Sequence, residues 1–163
     1  MKNALFTLLF SAFSIASCIA QSTDEDAIKA VLQKETHSAY QRNYEAWASC
    51  WMHDNSVFIG WNNSDGSYDV RQGWLGVSEL VKTWLTGSAE INHPNFINKN
   101  MLITIVGELA YVTYDEYDSD KSGTKYTLTK IFKVLRKTGG EWKLVSVCSY
   151  WNYDYKYSKE DIK

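Results

Sequence analysis

The stretch from Lys99 to Trp151 reads KNMLITIVGELAYVTYDEYDSDKSGTKYTLTKIFKVLRKTGGEWKLVSVCSYW. Its apolar residues recur with a period of two rather than 3.6, the pattern of strands whose side chains alternate between faces. Turn formers divide it at Gly107-Glu108, Asp118 to Gly123 and Thr138-Gly139-Gly140. Four strands result, at about Lys99 to Val106, Leu109 to Tyr117, Thr124 to Lys137 and Glu141 to Trp151. Connections this short favour an antiparallel meander. On the last strand Leu144, Ser146, Cys148 and Tyr150 share one face and Val145, Val147 and Trp151 the other. Neither face is plainly made for water, so one should meet helices and the other a second copy of the chain, a homodimer through the outer face of the sheet.

Upstream the period is helical. Ser22-Thr23-Asp24-Glu25 has the form of a capping box, and a helix from about Thr23 to Gln41 carries Ala27, Ile28, Val31, Leu32, Ala39 and Tyr40 on one stripe. Glu35 falls inside that stripe rather than opposite it. Asn43 is placed to cap a short helix from Tyr44 to Met52, with Trp47, Cys50 and Trp51 on one face. Ser56 to Trp61 reads as a strand and Asn62 to Ser67 as a turn. Gly76 introduces a third helix, Val77 to Leu85, which Gly87 ends. The order is helices first and then a curved sheet wrapped against them, an α+β class.

The chain has 163 residues with 17 basic and 19 acidic side chains, enough for one domain and without the positive excess that holds phosphate backbones, which argues against nucleic acid as the main partner. Seven Trp, eleven Tyr and a single proline, Pro94, are unusual. Such aromatics build cores and also line small-molecule pockets. Lys2 followed by a mostly apolar run from Ala4 to Ala16 has the layout of a secretory signal, too short to span a bilayer. Cleavage before Gln21 fits Cys18-Ile19-Ala20. The competing reading is a lipobox at Ile15 to Cys18, with a lipid anchor on Cys18, and the early start of the first helix favours Gln21. The expected product is secreted or periplasmic: a signal over 1–20, a domain over 21–151 and a polar tail over 152–163. Cys50 and Cys148 then stand either as a disulfide or as two buried small apolar residues.

The element order, with Tyr44-Glu45-Ala46-Trp47 opening the second helix, Gly107-Glu108-Leu109-Ala110-Tyr111-Val112 at a hairpin and Gly140-Glu141-Trp142-Lys143-Leu144-Val145 on the last strand, resembles the nuclear-transport-factor-2-like, or SnoaL-like, superfamily over about Thr23 to Trp151. That resemblance implies a cone: three N-terminal helices packed on a strongly curved antiparallel sheet around a pocket, often dimeric. Its members include isomerases, cyclases, a dehydratase, an epoxide hydrolase and non-catalytic transport and association domains, so fold alone does not name an activity. It also implies that Ala110, Val112, Tyr114 and Glu116 form the interior phase of their strand. Cys148 and Tyr150 appear where many members carry a pocket His and Ser, a departure from the family pattern.

Candidate chemistry centres on Glu35 and Glu116 as a pocket carboxylate pair with Tyr114 as partner. Tyr40, Trp47, Trp51, Trp61, Trp74, Tyr114 and Tyr150, with His53 and Cys148, are candidates to line an aromatic cavity for a small, partly apolar molecule. For His53 the favoured reading is a cap on a helix C-terminus. His37, His53 and His93 lack metal-ligand spacing, and no cofactor motif is present. Asp118 to Gly123 copies half of a calcium loop, but Thr129 stands where the bidentate Glu belongs, so a hairpin turn is the better reading. The leading functional expectation is ligand binding without catalysis. The alternatives are a small isomerase, cyclase or hydrolase using Glu35 or Glu116, and a non-catalytic dimeric interaction module.

Overall fold

The computed structural model describes residues 24–87 and 93–162. The signal segment with both cleavage sites, and Ser22 and Thr23 of the capping box, lie outside the described residues. Helix α1 occupies 24–40 and turns Ile28, Leu32, Glu35, Thr36 and Tyr40 inward at three- and four-residue intervals. Asp24, from the expected capping box, accepts hydrogen bonds from Lys137 Nζ at 2.7 Å and Trp142 Nε1 at 3.0 Å, tying the start of α1 to the far end of the sheet.

Asn43 caps helix α2, Tyr44–Ala48, by accepting the Ala46 N–H at 3.0 Å. The helix stops short of Met52. Leu144 donates its N–H to the Cys50 carbonyl at 2.8 Å and accepts the Met52 N–H at 2.9 Å, so the backbone that would continue the helix is committed to the sheet.

Strand β1, Phe58–Asn62, pairs with β2, Tyr68–Gln72, a strand that the sequence pattern did not announce. Helix α3, Trp74–Thr86, begins three residues before the expected start, after Gly73 at φ 77°, and buries Val77, Val81 and Leu85. The meander follows as β3, Phe96–Val106; β4, Leu109–Ser119; β5, Lys125–Thr138; and β6, Glu141–Trp151. The order across the sheet is β2-β1-β6-β5-β4-β3.

Two features correct the expected antiparallel, strongly curved sheet. First, β1 runs parallel to β6, with Phe58 opposite Ser146 and Trp61 opposite Ser149, so the sheet is mixed. A hairpin fixes antiparallel direction only between neighbours in sequence, and β1 joins β6 from more than eighty residues away. Second, the ladders keep register except at two bulges, and the sheet is open, with β2 and β3 at its edges, rather than strongly curled.

The second bulge matters for the site. Val134 pairs with Ser146 and Leu135 with Leu144, so Val145 is the extra residue on β6. It reverses the alternation there. Trp142, Leu144, Val147, Ser149 and Trp151 share register with the helix-facing residues of β5, while Ser146, Cys148 and Tyr150 pair with Val134, Phe132 and Lys130 on the helix-free face. The tail returns to the protein: β7, Tyr157–Ser158, pairs with Lys125 and Tyr126 of β5, and Tyr157 meets the Tyr117 ring edge-on at 5.2 Å.

Candidate functional site

Strand alternation places Tyr114, Glu116 and Asp118 of β4 on one face, opposite α1. All three are buried, and the two carboxyls lie over Tyr40 and Thr36 from successive turns of the helix. The Tyr40 hydroxyl donates to Asp118 Oδ1 at 2.5 Å and reaches Glu116 Oε1 at 3.5 Å. Thr36 donates to Glu116 Oε2 at 3.4 Å, and Thr129 of β5 donates to Asp118 Oδ2 at 3.0 Å.

Glu35, one residue before Thr36, engages a different partner. Lys133 of β5 donates to its Oε2 at 2.7 Å and Trp47 Nε1 to its Oε1 at 2.9 Å. Both charged side chains are almost fully enclosed, 3% and 8% exposed. Burial works against the Lys133 ammonium, but Glu35, Tyr114 and Glu116 outweigh it and hold the group charged.

The charges inside do not cancel. Lys133 is the one buried cation among the described residues and is committed to Glu35, so Glu116 and Asp118 are left without a counter-ion of their own. Desolvation first, and then the neighbouring Asp118 charge, push Glu116 well above the usual carboxylate range. Burial also raises Asp118, against the stabilising hydrogen bonds from Tyr40 and Thr129. Two carboxyls so placed titrate as a pair, and the first proton is retained by the pair long after an exposed acid has lost its own.

His93 stands beside this pair. Its Nδ1 lies 2.7 Å from the Ser119 carbonyl, which can only accept, so Nδ1 carries a hydrogen. The ring packs 4.9 Å from Tyr40 and 5.6 Å from Trp151 and favours the ionised form of Asp118. Ser119 donates its N–H to the Asn95 carbonyl at 2.9 Å and accepts the Asn95 N–H on its hydroxyl at 3.1 Å, which holds the segment in place.

The expected aromatic lining divides into four groups. Trp47, Trp51 and Trp74 form one cluster, with ring centroids of Trp47 at 5.1 Å from Trp51 and 5.9 Å from Trp74. His53 stacks on Trp74 at 3.9 Å and donates from Nε2 to the carbonyl of Ala48, the last residue of α2, which is the capping role. Tyr40 and Tyr114 join the carboxyl groups, and Trp61 packs at the edge of the core. Cys148 and Tyr150 are on the other side of the sheet, Tyr150 at 62% exposed, because of the bulge at Val145. Cys50 is buried inside, so the two cysteines are free thiols on opposite faces.

Asp118 to Gly123 is the β4–β5 hairpin, with Asp120 accepting from Ser122, Thr124 and Lys125 while Asp118 faces inward. The sequence reading takes Asp118 as a hairpin-turn residue and His93 as a histidine without metal-ligand spacing, and names neither of them, nor Lys133, as a candidate for the site. For Asp118 and Lys133 a signal existed: each is a charged residue at the inward parity of a strand, Asp118 in step with Glu116 and Lys133 in step with Ile131 and Leu135.

The sequence profile of the SnoaL-like domain matches residues 28–151, and the chain belongs to that family. Its fold is that of the nuclear-transport-factor-2-like proteins. A cystatin-like-fold member from Novosphingobium aromaticivorans aligns with a TM-score of 0.67 at 14% identity, covering 86% of this chain and 90% of that one. A Shewanella baltica protein of unknown function aligns at 0.58 with 19% identity over 80% and 95%. A family member from Streptomyces avermitilis with a provisional dehydratase assignment aligns at 0.64 with 17% identity over 80% and 96%. No curated protein matches the chain.

Proposed function

We propose that the interior between α1 and the sheet opens to bind a small, partly apolar molecule and that Glu116 and Asp118 move a proton on it, with Tyr40 as the group that orders them. The observation that carries this reading is the buried carboxyl pair without a counter-ion. Such an arrangement costs stability and gives a group that keeps a proton above the usual carboxylate range and can pass it on. Binding without catalysis is the first expectation from the sequence because no complete acid–base set is legible there. Asp118, Lys133 and His93 fill that gap and favour the alternative. Glu35 serves this site as the counter-charge of Lys133 rather than as the proton-transfer group. The dehydratase assignment of the Streptomyces avermitilis protein belongs to that protein, and dehydration is likewise a proton-transfer reaction.

Fragment screening by fluorine NMR tests the binding half. Hits should perturb Tyr40, Tyr114 and Glu116, and hits confined to the helix-free face overturn the site. Deuterium incorporation into bound hits in heavy water tests the other half, with exchange lost in Glu116→Gln.

The helix-free face supports a second element of the reading, pairing of two copies. Leu102, Val106, Leu109, Tyr111 and Phe132 are all exposed there, and a groove of about 490 Å³ runs between Val106, Leu109, Tyr111, Phe132 and Val134. The N-terminal segment supports export. Sequencing the amino terminus of protein recovered from a secreting host distinguishes a start at Gln21 from a lipidated Cys18.

A further inference from the structure

The Oδ1 atom of Asn98 is enclosed and has no hydrogen-bond partner among the described residues. An amide oxygen can only accept, so what it lacks is a donor. The ladder shows where that donor stands. Asn98 of β3 is directly opposite Glu116 of β4, as Phe96 is opposite Asp118, and such residues share a face with Cβ atoms about 4.5–5.5 Å apart. Phe96 meets the Tyr40 ring edge-on at 6.0 Å, which makes that face the interior one. Asn98 therefore flanks Glu116 from β3, while Lys133 belongs to β5 on the other side of β4.

Donors are shared unevenly between the two carboxyls. Asp118 receives the Tyr40 hydroxyl at 2.5 Å and the Thr129 hydroxyl at 3.0 Å, whereas Glu116 meets Thr36 at 3.4 Å and Tyr40 at 3.5 Å. Donated hydrogens stabilise a carboxylate, so Asp118 is the better seat for the charge and Glu116 for the proton. A carboxylic acid has one O–H to place. Asp118 gains from it as an acceptor, but both of its oxygens already hold a donor. Asn98 Oδ1 holds none and lies opposite Glu116 alone. The titratable groups facing Glu116 are Tyr40 and Glu35 from α1, Lys133 from β5, and Tyr114 and Asp118 from its own strand. What β3 adds is neutral, so it acts on Glu116 through hydrogen bonding rather than charge.

We propose that Asn98 is a positioning residue of the carboxyl pair, its Oδ1 accepting the Glu116 O–H and so seating the shared proton on Glu116 with Asp118 ionised. In the reading given under the proposed function, on which its use rests, Glu116 is then the acid and Asp118 the base.

Carbon-13 NMR titration of the side-chain carboxyls in the whole, ligand-free protein tests this. Where the pair holds one proton, Glu116 should carry it. Asn98→Leu keeps the branching of the side chain and removes the acceptor. It should lower the pH at which Glu116 deprotonates by about one pH unit, the equivalent of one hydrogen bond. Asn98→Asp should raise that pH, since another anion then faces Glu116. Asn98→Val, a strand former, is read like the leucine variant should that one not fold. An unchanged titration in the apolar variants overturns the proposal, because a fixed water then satisfies Oδ1. A rise overturns it too, since the amide then donates to the carboxylate through its nitrogen. Protonation of Asp118 before Glu116 has the same force. Deuterium exchange into bound molecules separates the two proposals. Its absence from the native protein removes the proton-transfer reading and leaves the shift in Asn98→Leu standing, whereas exchange without that shift keeps the reading and removes Asn98 from it.

Discussion

Replacing Lys133 by methionine leaves the Glu35 carboxylate buried without its counter-ion, and replacing Glu35 by leucine leaves an ammonium in the same position. Either single change should cost about 3–5 kcal/mol in urea unfolding, whereas the double replacement should cost less than either, since removing both charges also removes both desolvation penalties. Glu116 behaves in the opposite sense. Its proton affinity is raised in the folded state, so the stability it contributes is present below the ordinary glutamate range, about 4.3, and is lost as pH rises toward its folded value, over which the unfolded chain releases a proton the native state keeps. Glu116→Gln should therefore be more stable than the native protein at pH 8 and flatten the decline above about pH 5. The acid limb should remain, because Asp24, held below the usual range by hydrogen bonds from Lys137 and Trp142, loses its contribution on acidification in both proteins. Urea midpoints measured from pH 4 to 9 decide this. A Glu116→Gln protein that is no more stable at pH 8 refutes the shared-proton description.

Among the elements, α1 and the meander were legible because each repeats one period over ten residues or more. Glu35 stood out against the helical stripe, and the inward phase of Tyr114 and Glu116 follows from the alternation of β4. What escaped were single-residue departures and strands without an apolar face. Tyr68 to Gln72 forms β2 on the edge of the sheet, with Tyr68 76% exposed and one aliphatic residue, so no hydrophobic repeat marks it. The bulge at Val145 inserts one residue in an otherwise regular strand, and nothing in the alternation of Trp142 to Trp151 says where the phase breaks. That one residue moved Cys148 and Tyr150 from the expected pocket to the outer face. Deleting Val145 should make the strand regular and so force either Trp142 and Leu144 or Val147 and Trp151 outward. The deletion should abolish cooperative thermal unfolding, read by circular dichroism. A well-folded deletion protein with the native Tm contradicts the bulge.

At the scale of the whole molecule the usual distribution of polarity is partly inverted. Between the helices and the sheet, the described residues bury the carboxyls of Glu35, Glu116 and Asp118, the Lys133 ammonium and the phenols of Tyr40 and Tyr114, and the helix-free face of the sheet carries Val106 at 69% exposed, Leu102 at 58% and Leu109 at 51%. Each half of the inversion lowers the stability or solubility of an isolated chain, and in the reading proposed above each would be relieved by a different occupant: a small molecule inside, a second copy outside. The two are separable in the fold, because the sheet lies between them and only backbone is common to both. Val106→Glu combined with Leu109→Lys should convert a dimer into a monomer by light scattering after size exclusion, without changing the far-ultraviolet dichroism. Because both residues point away from α1, the carboxyl titration of Glu116 and Asp118 should be the same in monomer and dimer. A native protein that is monomeric at micromolar concentration refutes the pairing. A carboxyl titration that shifts with the oligomeric state would mean that the sheet transmits the interface to the interior, so that neither occupant could be treated independently of the other.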